Sequence, residues 1–166
     1  MQLSDKTRQK INEACRTIQI ILPLLVIFSV IYLGVVFSAF EGPILLNKQP
    51  QRESLVLAGI AFFTATVAAP YFRRSMLAGD EQHRTADQHA VSGARNVQYS
   101  VITASVVLVV AACINIAAFR TTKDAVNLVV VGLLLVAVLT RIPTRTAFRR
   151  LVDETVSQRM KMDDPL

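Results

Sequence analysis

Four apolar segments dominate this chain, and they limit its architecture more than any other feature of the sequence. The segments cover residues 18–40, 54–72, 97–119 and 125–142, which is about half of the 166 residues. A bilayer core about 30 Å thick needs about 20 helical residues, because each residue adds about 1.5 Å along the helix axis. All four segments approach or exceed that length, and 52% of the chain is hydrophobic. The sequence therefore predicts an all-α, polytopic membrane protein with four transmembrane helices, in preference to a soluble bundle with buried core helices.

The first pair of apolar segments is repeated by the second pair. Residues 16–40 superpose on residues 95–119 at a shift of 79, with arginine at the start and phenylalanine at the end of both stretches. Only five of those 25 positions are identical, so the matched ends and lengths carry the comparison. The following segments superpose at a shift of 73, which pairs Gly59 with Gly132. These shifts predict two duplicated helical hairpins in parallel orientation, related by a pseudo-twofold axis along the membrane normal.

We expect one four-helix membrane domain over residues 1–166. Its predicted parts are a first repeat over about 16–78, a connector over about 79–94, a second repeat over about 95–152 and a cytoplasmic tail over about 153–166. Apolar residues recur near helical spacing beyond the last segment, at Phe148, Leu151, Val152 and Val156. This pattern predicts that the fourth helix continues past Pro143 as an amphipathic helix, which lies on lipid headgroups or docks on a partner.

Lysine and arginine are distributed unevenly across the predicted membrane. Fourteen of them precede the first segment, lie between the second and third, or lie at or beyond the end of the fourth (Arg141 onwards), and four lie in the other two loops. The positive-inside rule therefore predicts a multi-pass protein of the cell (inner) membrane with both termini cytoplasmic. The net charge of +6 then indicates contact with anionic headgroups of the lipid bilayer at the cytoplasmic face, and not with nucleic acid. The first apolar run exceeds the length of a signal-peptide core and has a counterpart in mid-chain, which predicts a retained helix.

The sequence lacks the residue patterns of the common enzyme and cofactor sites. No Asp, Glu, Lys or His lies well inside an apolar segment, and Walker, Rossmann and zinc-protease patterns are absent. We therefore expect no catalytic residues, no cofactor and no metal. In the connector, His83, Asp87 and His89 are spaced so that they could bind a divalent cation, but a solvated polar connector is the favoured interpretation. Cys15 and Cys113 fall at different membrane depths, so no disulfide is predicted.

Small residues mark the predicted contacts between helices. They are Gly59, Ala61, Ala65 and Ala69 on the second helix and Ala111 and Ala112 on the third. Small side chains let helix backbones approach closely in lipid. The fourth helix is instead rich in valine and leucine over residues 128–139. We expect the second and third helices at the centre of the bundle, the fourth towards lipid, and Asp124 or a neighbouring threonine as the N-cap of the fourth.

Asn115 is the one strongly polar side chain that the sequence places deep in a span. With Thr64, Thr66 and Ser105, it lines a pore or makes polar contacts between helices. An interhelical hydrogen bond, worth about 0.6 to 2 kcal/mol, is the favoured role. The sequence thus predicts a small non-enzymatic membrane protein, an accessory or scaffold subunit whose partners are other membrane subunits or copies of itself. The alternative is a small oligomeric channel or transporter with a polar path near Asn115.

Overall fold

The computed structural model describes residues 4–39, 51–68, 71 and 86–163, and the regular elements in these ranges are helices. They are α1 (Asp5–Ser38), α2 (Arg52–Phe63), α3 (Ala86–Thr122), α4 (Ala125–Leu139) and α5 (Arg145–Asp163), and α2 continues as a π-helical stretch, Thr64–Ala68. The all-α prediction is confirmed for this part of the chain. By length and composition, α1 and α3 could cross a membrane, whereas α4 is apolar but shorter.

Helix α1 starts in the charged N-terminal region and runs without interruption into the first apolar segment. Ser4 is its N-cap, since its hydroxyl accepts a hydrogen bond from the Thr7 amide at 3.3 Å. Asp5 adds a negative charge to the first turn, where the helix dipole favours it. The helix passes through Pro23 and ends at Ser38. The charged start and the apolar run therefore form one helix of 34 residues.

Helix α3 is the centre of the described structure, because it packs against α1, α2, α4 and α5. It begins at Ala86, inside the predicted connector. Residues 86–94 are therefore helical, and His89, Ala90 and Ala94 are buried instead of solvated. The expectation of a solvated segment was therefore wrong at His89, Ala90 and Ala94, because small side chains at 90, 93 and 94 let neighbouring helices approach.

The end of α4 differs from the prediction of one continuous helix past Pro143. Helix α4 ends at Leu139, and α5 begins separately at Arg145. Proline has no amide hydrogen for the helical ladder, which explains the break at Pro143. The Pro143 carbonyl, which lies between the two helices, accepts a hydrogen bond from Gln19 Nε2 at 3.0 Å, and Thr144 Oγ1 caps α5 by accepting from the Ala147 amide at 3.2 Å.

Helix α5 folds back onto the bundle. Its apolar stripe was predicted from the sequence, and Phe148, Val152 and Val156 are buried. The stripe packs beside Gly93 of α3, where an added Cβ would lie 3.4 Å from Val156 Cγ2 and 3.9 Å from Val152 Cγ1. The amphipathic helix therefore docks on its own chain.

The burial of α2 and α4 is the reverse of the predicted arrangement. Helix α4 buries a stripe of Asn127, Val131, Leu134 and Val138, and packs along α3. The buried residues of α2 are only Ser54 and Ala61. The prediction that α4 is the peripheral helix was wrong, because the short turn after α3 forces α4 to pack against it.

Candidate functional site

The most densely hydrogen-bonded polar group in the described structure lies where α2 and α4 begin and α3 ends. We call it the Asp124 cluster, and it consists of Gln51, Ser54, Thr122, Asp124 and Asn127. Ser54, Thr122, Asp124 and Asn127 are all buried. Buried polar groups are strongly destabilising unless they are paired, so the geometry of their hydrogen bonds decides what the cluster does.

The Asp124 carboxylate connects two helix starts. Its Oδ1 accepts from the Val126 amide at 3.1 Å, which confirms the predicted N-cap of α4. Its Oδ2 accepts from the Gln51 amide at 3.0 Å, at the residue that precedes α2. One side chain thus satisfies backbone donors at the ends of two helices.

Asn127 makes the second connection of the cluster. Its Nδ2 donates to Ser54 Oγ of α2 at 3.2 Å and to Thr122 Oγ1 of α3 at 3.0 Å. Gln51 Nε2 also donates to the Thr122 carbonyl at 3.3 Å. The Asn127 Oδ1 atom is buried without a hydrogen-bond partner among the described residues. The cluster therefore ties α2, α3 and α4 together and leaves one acceptor unused.

The hydrogen bonds of Asp124 determine its charge state. Burial is the largest single influence and raises its pKa, because a carboxylate loses hydration. The donors at Val126, Gln51 and Ser54 together outweigh burial, and they hold the pKa of Asp124 below its ordinary value. The carboxylate is consequently ionised at neutral pH and anchors the turn as an acceptor.

The turn that carries Asp124 requires an unusual backbone conformation at the preceding residue. Lys123 has a φ of 57°, in the left-handed region that the residue just after a helix often adopts. Its amide donates to the Phe119 carbonyl at 2.8 Å and closes the end of α3. This geometry reverses the chain within two residues and sets α4 antiparallel to α3.

The four residues predicted to form a polar path each donate to their own helix. Asn115 Nδ2 donates to the Ala111 carbonyl at 2.9 Å, and Ser105 Oγ donates to the Val101 carbonyl at 2.8 Å. Both side chains are buried, and Asn115 Oδ1 has no hydrogen-bond partner among the described residues. Thr64 and Thr66 donate to the carbonyls of Ile60 and Phe62, each at 2.8 Å.

Some of the predicted packing residues lie in the core, and others are exposed. Ala61, Ala111 and Ala112 are buried in the core, and Ala65 packs against it while half-buried. Gly59 is exposed, and an added Cβ there would meet no atom within 4 Å. The predicted close crossing at Gly59 was therefore wrong, and Ala69 lies outside the described residues.

The predicted connector residues do not form a metal site in the part of the chain that the structure describes. His83 lies outside that part. Asp87 accepts from the Ser4 amide at 3.4 Å, and Nδ1 of the buried His89 has no hydrogen-bond partner among the residues that the structure describes. The described residues include no group of three His, Cys, Asp or Glu side chains that could hold a metal ion. Cys15 and Cys113 are free thiols, Cys15 buried and Cys113 partly buried.

Sequence reasoning missed Asn127 and Ser54 as partners, although a signal for them was present. Residues 51–54 and 124–127 are equivalent at the shift of 73, and both stretches begin and end with polar residues. A polar pair repeated at two helix starts indicates a contact between them.

No protein-family model, curated protein or solved structure matches this chain.

Proposed function

We propose that this chain is a four-span integral membrane protein, built from two duplicated hairpins with both termini cytoplasmic, and that it serves as a non-enzymatic accessory or scaffold subunit of a membrane complex. The observation that carries the proposal is the exposure of α1. Only 17% of its most apolar 18-residue stretch is buried, against 50% of the corresponding stretch of α3. A helix that is apolar on its outward face needs lipid or another helix around it.

The exposed face of α1 is continuous and large. Leu24, Phe28, Ile31 and Val35 recur at helical spacing, and each exposes more than half of its surface. Exposed apolar area of this extent is unfavourable in water by about 25 cal/mol per Å². Further large apolar residues are exposed on α2 and α4, including Phe62, Phe63 and Leu133. This distribution supports insertion in a bilayer.

The pattern of burial supports the duplication. Six buried residues of α1 have described counterparts at the shift of 79, and all six counterparts are buried in α3. The residues of α1 are Ile11, Cys15, Ile18, Leu22, Ser29 and Val36, and those of α3 are Ala90, Ala94, Val97, Val101, Leu108 and Asn115. The two helices therefore turn equivalent faces inward, as repeats related by a twofold axis would.

The Asp124 cluster supports the same symmetry. The hydrogen bonds Gln51–Asp124 and Ser54–Asn127 both join residues that are 73 positions apart. In a twofold arrangement, a residue near the axis meets its own counterpart. Two such contacts at the shift inferred from sequence are what a pseudo-twofold axis between the starts of α2 and α4 would produce.

A difference between the two proposed repeats supports the scaffold role. Helix α3 is covered by α4 and α5 as well as by α1, whereas α1 keeps its outward apolar face. That face is suited to the transmembrane helix of another subunit. The own-helix hydrogen bonds of Asn115, Ser105, Thr64 and Thr66 favour this role over the channel alternative, because each side chain already donates to a backbone carbonyl of its own helix.

Purification from native membranes in mild detergent tests the proposal. We expect a different membrane subunit in fixed stoichiometry, with its recovery reduced by Ile31→Trp on α1. Leu133→Trp on α4 is the matched control, because both side chains are about equally exposed, at 61% and 66%. A homo-oligomer that conducts ions in liposomes, with a flux changed by Asn115→Ala, would establish the channel alternative and refute the scaffold role.

A further inference from the structure

An open polar groove runs between the first turns of α1 and α3, on the surface of the bundle. Two cavities of about 570 Å³ and 370 Å³ form it, and both are lined by Lys10, Val91 and Arg95. Because they share these three residues, they are two parts of one depression. We call it the α1–α3 groove.

The groove exists because α1 and α3 meet along a narrow seam with small residues beside it. Ile11 and Cys15 of α1 and Ala90 and Ala94 of α3 are buried in the core. Ala14 and Ala94 line the groove, and their short side chains leave room next to the seam. The described lining comes from α1 and α3 alone, with no residue of α5.

The charges of the groove are arranged in order along its length. Lys10 and Arg95 are common to both cavities, while Asp87 lines only the larger and Glu13 only the smaller. Both carboxylates already accept a hydrogen bond, Asp87 from the Ser4 amide at 3.4 Å and Glu13 from Gln9 Nε2 at 3.0 Å. Among the described residues, Lys10 and Arg95 have no ion-pair or hydrogen-bond partner. The middle of the groove therefore offers two cations that are free to bind an anion.

One end of the groove reaches the predicted edge of the membrane. Thr17 and Gln98 line the smaller cavity, and the apolar segments of α1 and α3 begin at residues 18 and 97. A ligand that binds at Lys10 and Arg95 can therefore continue along the apolar surfaces of both helices. The acyl chains of a lipid would contact these apolar surfaces and add to its binding affinity, whereas a soluble anion has no apolar part that could do so.

We propose that the α1–α3 groove binds the phosphate of a membrane phospholipid, with Lys10 and Arg95 as its cationic ligands. Asn96 and Thr7, which line the larger cavity, supply further polar contacts to the headgroup. Arginine suits phosphate because its planar guanidinium forms paired, charge-assisted hydrogen bonds, and lysine adds a point charge. Basic pockets between helices at the cytoplasmic face are recognised sites for lipid headgroups. The inference rests on the proposed membrane insertion and names a specific lipid site within it.

Native mass spectrometry of the full chain in detergent, titrated with phosphatidylglycerol, tests the site. We expect Lys10→Gln with Arg95→Gln to weaken lipid binding by roughly tenfold or more, because both cations near the headgroup phosphate are lost. Lys6→Gln with Arg8→Gln removes the same charge from exposed positions of α1 that do not line the groove, and should leave binding unchanged. Lys10→Arg with Arg95→Lys keeps both charges and should retain binding, which guards against misfolding as the cause of a loss.

Three outcomes would overturn the lipid site. Equal losses of lipid binding in the Lys10/Arg95 glutamine variant and in the Lys6/Arg8 control would show a general effect of surface charge. Loss of binding in the charge-conserving variant would show that the two cations are not the determinant. Inorganic phosphate that displaces the lipid at equal concentration would identify a site for free phosphate. Extraction of the protein from membranes by alkaline carbonate would instead refute the proposed membrane insertion, and it is measured independently of lipid binding.

Discussion

At the scale of single residues, buried polar side chains are important because a buried polar group is destabilising unless it is hydrogen-bonded. Asp124 is 2% exposed, and its carboxylate accepts from the amides of Val126 and Gln51. It stabilises the start of α4 and holds the start of α2 beside it. Asn115, in contrast, donates only to its own helix in the described structure. The turn between α3 and α4 is therefore where one polar substitution should matter most.

Replacing Asp124 by alanine should destabilise the fold by about 1 to 3 kcal/mol, because two backbone donors lose their acceptor. Its pKa is lower in the folded state, so the stabilisation is fully present above the ordinary value of 3.8 and is lost as pH falls through the lower folded pKa. Thermal unfolding in detergent, measured from neutral to strongly acidic pH, checks this. The difference in unfolding temperature between wild type and Asp124→Ala should become smaller only at the most acidic pH values. A difference that stays constant throughout would show that ionisation is irrelevant.

Which polar residues act together was only partly visible in the sequence. The cap at Asp124 could be predicted, because an aspartate directly before an apolar helix is a common N-cap. The bond from Asn127 to Ser54 was missed, although the two residues align at the shift of 73, because its geometry depends on how two helices that are distant in sequence are placed. Asn115 was predicted to bond between helices, but an asparagine in a helix can also reach the carbonyl four residues earlier. Composition does not distinguish those two outcomes.

At the scale of helices, small residues are informative only where another helix lies next to them. Gly93 of α3 lies beside Val152 and Val156 of α5, whereas Gly59 of α2 faces open space. The sequence predicted a contact at Gly59 and a solvated connector at Gly93, so both were assigned wrongly. Helix propensity is the same for two glycines, and tertiary packing decides which one is needed.

A pair of matched substitutions tests this difference. Gly93→Leu should destabilise the bundle by about 1 to 3 kcal/mol, because its side chain has to displace the valines of α5. Gly59→Leu should be neutral or slightly stabilising, because glycine is a poor helix former and the site is open. Gly93→Ala should be tolerated, since the nearest atom to the new Cβ lies 3.4 Å away, within ordinary contact. Thermal unfolding of all three variants in one detergent gives the comparison. Equal losses of stability in Gly93→Leu and Gly59→Leu would contradict the packing of α5 beside Gly93.

At the scale of the whole molecule, periodicity and length predicted the helical class and the long apolar helices, because these depend on local sequence. They did not predict the break at Pro143 as the start of a helix that folds back. That outcome depends on Gln19 and the α3 surface, which are distant in sequence. The exposure of α2 was missed for a similar reason, since its alanines resemble a packing face whether or not a neighbour is present. In the Asp124 cluster, the hydrogen bonds Gln51–Asp124 and Ser54–Asn127 each join residues 73 positions apart.

The most direct test of the four-span arrangement is labelling of single cysteines in intact cells with a membrane-impermeant maleimide. In a background where Cys15 and Cys113 are replaced by alanine, three exposed positions are compared: Gln9→Cys in α1, Thr121→Cys at the end of α3 and Glu154→Cys in α5. We expect Thr121→Cys to be labelled in intact cells, and Gln9→Cys and Glu154→Cys to be labelled only after permeabilisation. Labelling of Gln9→Cys or Glu154→Cys in intact cells, or protection of Thr121→Cys there, would contradict the four-span arrangement.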